Sequence, residues 1–405
     1  MAGGGGGEGN TWLYVLGGGT VLCVGGYAVE LTHAAPEAVG AALLAIGGLG
    51  VVFGSCEAMI KSVEGIGQRL AWNQFVAGTI AGLVSNVPEI VMLAFVVLAD
   101  PKIAFVVVAL TLHVNALLFG VYSGLLPRTA SGAARLPEPL VKISTDLYAA
   151  GAGLFVATGL LMVLIHLFHI GQPHTGEGFD AFDLYGLGFG LLFVQAVATT
   201  QLVRRFSGAE EPAVDLPAAA ERAEDGVAAP APEEADPPPS WGTIGFYAVL
   251  GIGTSLLGGH AVGDFADTLV EALEHAGYSQ MIGAIILAIF AGAGAYVMIV
   301  TAHLRGLYDI ALASVSGSIT QVPFLVLPSV MLLMALFGQL GWVPVAETGA
   351  ILPLDLETTA VILLAFPPML VLWKSIQDDG KVNWVETAGM VAVFALNVYF
   401  LARYG

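Results

Sequence analysis

The sequence predicts an all-α polytopic membrane protein of about eleven transmembrane helices: one extra N-terminal helix, then two inverted five-helix repeats. Three observations predict it. Of 405 residues, 57% are hydrophobic and only 11% charged, where a soluble domain carries about a quarter charged. Mean hydropathy is +0.83, and the apolar residues fall in runs long enough to cross a bilayer. The two halves of the chain also repeat one another, a pattern that marks many membrane transporters.

Residues 1–38 hold a tail and the extra helix. The start "MAGGGGGEGN" has no basic stretch, so no cleavable signal peptide is expected; the first span covers Trp12–Leu31. Residues 39–206 form the first repeat, with spans at Val39–Met59, Phe75–Ala99, Ile103–Leu125, Leu147–Phe168 and Leu184–Leu202. Residues 207–240, rich in Pro, Ala and acids, read as a disordered linker. Residues 241–405 form the second repeat. Its spans are Trp241–Leu257 (helical on to about His275), Met281–Ala302, Ile310–Phe337, Thr358–Trp373 and Val385–Leu401.

Basic residues orient the spans. With the N-terminus in the cytoplasm, Lys61, Arg69, Arg128, Arg135, Lys142, Arg204, Arg205, Arg222, Arg305, Lys374 and Lys381 fall inside, and only Lys102 and Arg403 outside. That is a positive-inside bias. It makes the linker cytoplasmic and the C-terminus external, in an integral protein of a prokaryotic plasma membrane. The net charge of -19 argues against nucleic acid or anionic lipid as a partner; membrane lipid and inorganic cations remain. Cys23 and Cys56 sit in apolar runs and read as buried thiols, not a disulfide framework.

The repeats align around "FVAGTIAGLVSNVPEIVM", from Phe75, and "MIGAIILAIFAGAGAYVM", from Met281. Gly78 and Ile80 match Gly283 and Ile285, while Ile103, Ala104 and Thr111 match Ile310, Ala311 and Ser318. Five spans separate equivalent helices, so the copies have opposite orientations. "SNVPE", "PKIAFVVVALTLHVN" and "YDIALASVSGSITQ" together resemble the calcium/cation antiporter superfamily, the sodium/calcium exchanger membrane region. They are closest to its cation/proton exchanger branch. The resemblance implies secondary-active exchange by alternating access, with no cofactor beyond transported cations such as Na+, Ca2+ and H+.

The residues say what such a site would use. Glu89 in hydrocarbon costs about 2.5–3.5 kcal/mol. In a low dielectric a carboxylate pairs with a cation or takes a proton, so Glu89 is both cation ligand and proton carrier. The plainer alternative is a hydrogen-bonded structural acid. Pro88 denies the Val84 carbonyl its helical donor, and a freed carbonyl lining a cavity binds cations. Asn86, three residues before Glu89, can add an amide oxygen; Ser85 belongs to the same stretch. Thr111 and Asn115 share a helix face, and the resemblance places both at the ion site. It also places Ser318 and Gln321 there. Helix–helix hydrogen bonding is the alternative for all four. Glu89 and Asn115 head the metal ligands.

The second repeat lacks its own acid. The resemblance puts a glutamate at Gly294 or Ala295, followed by a histidine where this chain has Tyr296, yet no Asp or Glu occurs between Glu274 and Asp309. A divalent ion facing one carboxylate keeps a net charge in a low dielectric, which is costly. The expectation is therefore a cation/proton antiporter for Na+ or another monovalent ion, with Ca2+/H+ or Na+/Ca2+ exchange next. A compensating acid could come from His260, Asp264, Asp267 and Glu271, one face of a helix. That face reads as a cation funnel or as a solvated helix end. His113 points away from Thr111 and Asn115, and the His- and acid-containing stretch from His169 reads as a loop. A non-transporting cation sensor or partner protein is the reading from another class. No hydrolase motif is present, so no enzyme is expected.

Overall fold

A computed structural model describes residues 11–70, 72, 80–129, 132–137, 140–168, 178–206, 238–304, 308–377 and 380–404. The expected linker falls almost wholly outside these, as does most of the stretch from His169. The chain is an integral membrane protein of helical spans. In order they are α1 (Thr11–Thr32), α2 (Glu37–Arg69), α3 (Val87–Ala99, after a helical turn at 80–84), α4 (Pro101–Leu125), α5 (Thr145–Phe168) and α6 (Ala181–Phe206). The second half gives α7 (Trp241–His275), α8 (Gln280–Ala291), α9 (Ala293–Leu304), α10 (Tyr308–Gln321), α11 (Leu327–Gln339), α12 (Leu356–Leu363), α13 (Phe366–Gln377) and α14 (Trp384–Tyr404). Three pairs, α8–α9, α10–α11 and α12–α13, are each one span interrupted midway.

Local chemistry sets the boundaries. Asp100 caps α4, its Oδ1 accepting from the Lys102 and Ile103 amides at 2.7 and 3.2 Å, with Pro101 in the first helical position, where a missing N–H costs nothing. Ser279 caps α8 through the Met281 amide. Asp355 and Thr358 form a reciprocal cap on α12. A π-turn at Val322–Val326, containing Pro323, joins α10 to α11. Pro367 and Pro368 follow the break between α12 and α13.

The repeat is visible in the packing. α2 and α7, equivalent helices of the two copies, lie against each other. So do α5 and the α12–α13 span. The cross pairs α4 with α14 and α11 with α6 are also equivalent. Two short antiparallel pairs obey the same symmetry: β1 (Ala134–Arg135) with β4 (Lys381–Val382), and β2 (Gly178–Phe179) with β3 (Leu352–Pro353). The sequence reading missed these strands and took 178–179 as loop. Each joins a loop of one copy to a loop of the other, and the repeat relates one pair to the other.

Small residues let the long helices approach, as helix pairs in lipid require. A Cβ on Gly19 of α1 would stand 2.8 Å from the Gly47 carbonyl of α2, and one on Gly258 of α7 would stand 3.0 Å from Val51 of α2. Ser55 Oγ and Thr254 Oγ1 hydrogen-bond across α2 and α7 at 2.8 Å. With 33 and 35 residues, α2 and α7 run about 50 Å at 1.5 Å per residue, longer than the hydrocarbon core. Exposed Phe182, Phe189 and Phe193 on α6 and Phe246 and Val249 on α7 are the apolar faces a bilayer covers.

Candidate cation site

Each copy carries a broken helix, and the two breaks face each other. In the first, the turn at Ser85–Asn86 separates the helical turn at 80–84 from α3. Pro88 is the second residue of α3, where its ring is tolerated, and Glu89 is the third, within the first turn, where the helix dipole favours a carboxylate. In the second, Gly292 separates α8 from α9. Ala295 is the third residue of α9, the same place Glu89 holds in α3. Of the two positions, Ala295 and not Gly294 is therefore the counterpart of Glu89.

Between the breaks lies a cavity of about 20 Å³, lined by Val52, Cys56, Ser85, Asn86, Glu89 and Asn115 of the first copy and Ala291, Gly292, Ala295 and Ser318 of the second. That volume suits about one water-sized body. Glu89 is only 9% exposed and Asn115 2%. Glu89 Oε1 and Asn115 Oδ1 are buried without a hydrogen-bond partner, a cost native proteins rarely leave uncompensated. Two orphaned oxygens on one cavity, one of them on a carboxylate, suit a hard cation.

The neighbours fix these groups. Asn86 Nδ2 donates to Gln321 Oε1 at 2.6 Å and to the Gly82 carbonyl at 2.8 Å, which leaves its Oδ1 for a cation. The Cys56 thiol donates to the Ser85 carbonyl at 3.4 Å. Ser318 Oγ donates to Val315 O at 2.8 Å, so its oxygen can still accept or ligate. Among the described residues, Glu89 is the one carboxylate lining the cavity.

Of the residues singled out in the sequence, the cavity gathers Glu89, Asn86, Ser85, Asn115 and Ser318. It does not gather Val84, Thr111 or Gln321. Val84 lies on the turn before the break and lines nothing there. Thr111, 1% exposed, donates into its own helix to Val107 O at 2.9 Å. Gln321 Oε1 accepts from Asn86 Nδ2, and Gln321 stands behind Asn86 and not on the cavity. His113 turns to α12, its Nε2 3.2 Å from Val361 O. Asp264, Asp267 and His260 do not line the cavity either. His260 stacks on Phe95 at 5.2 Å and lies 3.5 Å from Asp264. Asp267 is within electrostatic reach of Asp264 and Asp100. These acids rim one end of the bundle and add no second charge to the cavity. The sequence reading missed Val52, Cys56 and Ala291, because apolar and thiol side chains in an apolar run carry no signal.

Comparisons with known proteins agree with this architecture. Residues 243–403 match the family described as sodium/calcium exchanger protein. A Ca(2+)/H(+) antiporter of Synechocystis sp. is 26% identical over 166 residues, 41% of this chain and 40% of that relative, so the match spans about two fifths of the relative's length. The solved H+/Ca2+ exchanger CAX superposes with a TM-score of 0.62 at 11% identity, over 97% of this chain and 91% of that one. The sodium-calcium exchanger NCX_Mj does so with a TM-score of 0.53 at 16% identity, over 94% and 98%. At these identities the structures share the fold.

Proposed function

We propose that this chain, whose residues 243–403 match the sodium/calcium exchanger family and whose fold resembles solved cation exchangers, is a secondary-active cation/proton antiporter in which cation and proton compete for Glu89. One observation carries the reading: the orphaned Glu89 Oε1 lines an enclosed cavity between two facing helix breaks. A carboxylate there is neutralised by a proton or by a cation, one at a time. Alternating access follows if α2 and α7, packed as equivalent helices, rock against the rest and open the cavity to one side and then the other. The N-terminus faces the cytoplasm of a prokaryotic cell in this reading, supported by the distribution of Lys and Arg.

Glu89, the one lining carboxylate among the described residues, favours a monovalent cation, Na+ first, because one negative charge neutralises one positive charge in a low dielectric. A second reading, Ca2+/H+ exchange, is favoured by the substrates in the relatives' names. The test is flux in proteoliposomes holding a pH-sensitive dye under an imposed proton gradient. Sodium, potassium, calcium and magnesium are added in turn, with Glu89→Gln as control. Dissipation by sodium but not calcium, silent in the variant, supports the monovalent reading. Dissipation by calcium selects the second. No response to any ion sinks proton coupling altogether.

A further inference from the structure

Tyr296 is a polar side chain of the second copy that the site described above does not use. It follows Ala295, the place of the absent acid, and its hydroxyl is buried without a hydrogen-bond partner. Buried phenols normally find one. Tyr296 lies four positions after Gly292, and helical side chains lean towards the N-terminus. The ring therefore lies back over Gly292, where any Cβ would overlap the hydroxyl. Gly292 is both a wall of the cavity and the break between α8 and α9. The phenol thus stands behind Gly292, a wall of the site, within electrostatic reach of Glu89.

We propose that Tyr296 is a further cation ligand from the second copy: a small adjustment at the Gly292 break brings its hydroxyl oxygen onto the ion held by Glu89, in place of the carboxylate absent at Ala295. This rests on the proposed exchange at Glu89. A phenol oxygen adds coordination without adding charge. The site then keeps a single negative charge while gaining a contact from the opposite copy. Gly292 is required because no other residue leaves room for the ring.

The full chain, purified and reconstituted, tests it with sodium and calcium as probes. Tyr296→Phe keeps the ring and removes the oxygen. Its half-saturating cation concentration should rise roughly tenfold, with the maximal rate largely kept. Gly292→Ala keeps the oxygen but displaces it, and should move the same constant the same way; it decides the matter if Tyr296→Phe does not fold. If both variants titrate like the native protein while Glu89→Gln is silent, Tyr296 is no ligand and the proposed function stands. If Glu89→Gln still exchanges, the underlying reading has failed. Equilibrium cation binding by calorimetry, run on the same variants, separates a lost ligand from a slowed conformational step.

Discussion

Asn86 of the first copy donates from Nδ2 to Gln321 Oε1 of the second at 2.6 Å, the direct side-chain tie between the two halves at the cavity. The bond orients Asn86 so that its oxygen, not its nitrogen, is left for a cation. Gln321→Ala leaves Asn86 bonded to Gly82 but free to rotate. Losing about 1 kcal/mol of positioning should raise the half-saturating cation concentration about fivefold. Cation titration of flux in proteoliposomes checks this, and an unchanged constant would mean the tie is structural only.

Ala295 occupies in α9 the position Glu89 holds in α3, and it lines the same cavity. Ala295→Glu should supply the second carboxylate. Two facing acids repel when both are ionised and are relieved by a doubly charged ion. The variant should therefore shift from monovalent towards divalent cations, with calcium displacing sodium at lower concentration than in the native protein. Competition measured in parallel on the two proteins reads this; an unaltered selectivity would show that charge count does not set the preference.

Much of this was legible in the sequence because a bilayer permits few structures. Helical runs of the right length had to span, and Glu89 with Pro88 and Asn86 inside one had to mark a break. The second break was not legible. "FAGAGAYVM" has no proline, and Gly292 acts there through what it lacks, a side chain in the way of Tyr296. Thr111 and Gln321 were placed at the ion by resemblance, which gives a position on a helix, not the destination of a side chain. Their bonds to Val107 and Asn86 depend on rotamers and on a partner 235 residues away. Cys56 and Val52 escaped because apolar lining looks like apolar core.

The α2–α7 contact gives a stability test apart from the ion site. Gly258 packs on Val51 and Val52, where a Cβ would come within 3.0–3.1 Å. Gly258→Leu must separate the two helices or force strained rotamers, costing about 1–3 kcal/mol. The detergent-solubilised variant should melt several degrees lower, and exchange should fall with it. A native melting temperature would mean that this helix pair is looser than its packing suggests.

At one end of the bundle, Lys102 at the start of α4 bridges Asp355 and Glu357 at the start of α12. Burial pushes the Asp355 carboxyl up, but hydrogen bonds from Lys102 and Thr358 outweigh it and hold the group below its usual range. A carboxyl lowered in the folded state binds its proton more readily when unfolded. Its stabilisation is therefore complete above the unfolded value near pH 4 and fades as the pH falls through the folded value. The groups are partly exposed, so the effect is modest, under about 1 kcal/mol. Asp355→Asn keeps a capping side chain and removes the charge. Its melting temperature should lie below the native one at pH 6, and the gap should narrow as the pH falls through the folded value. A gap of constant size down to the acid limit of folding would assign the loss to the cap and not to the ion pair.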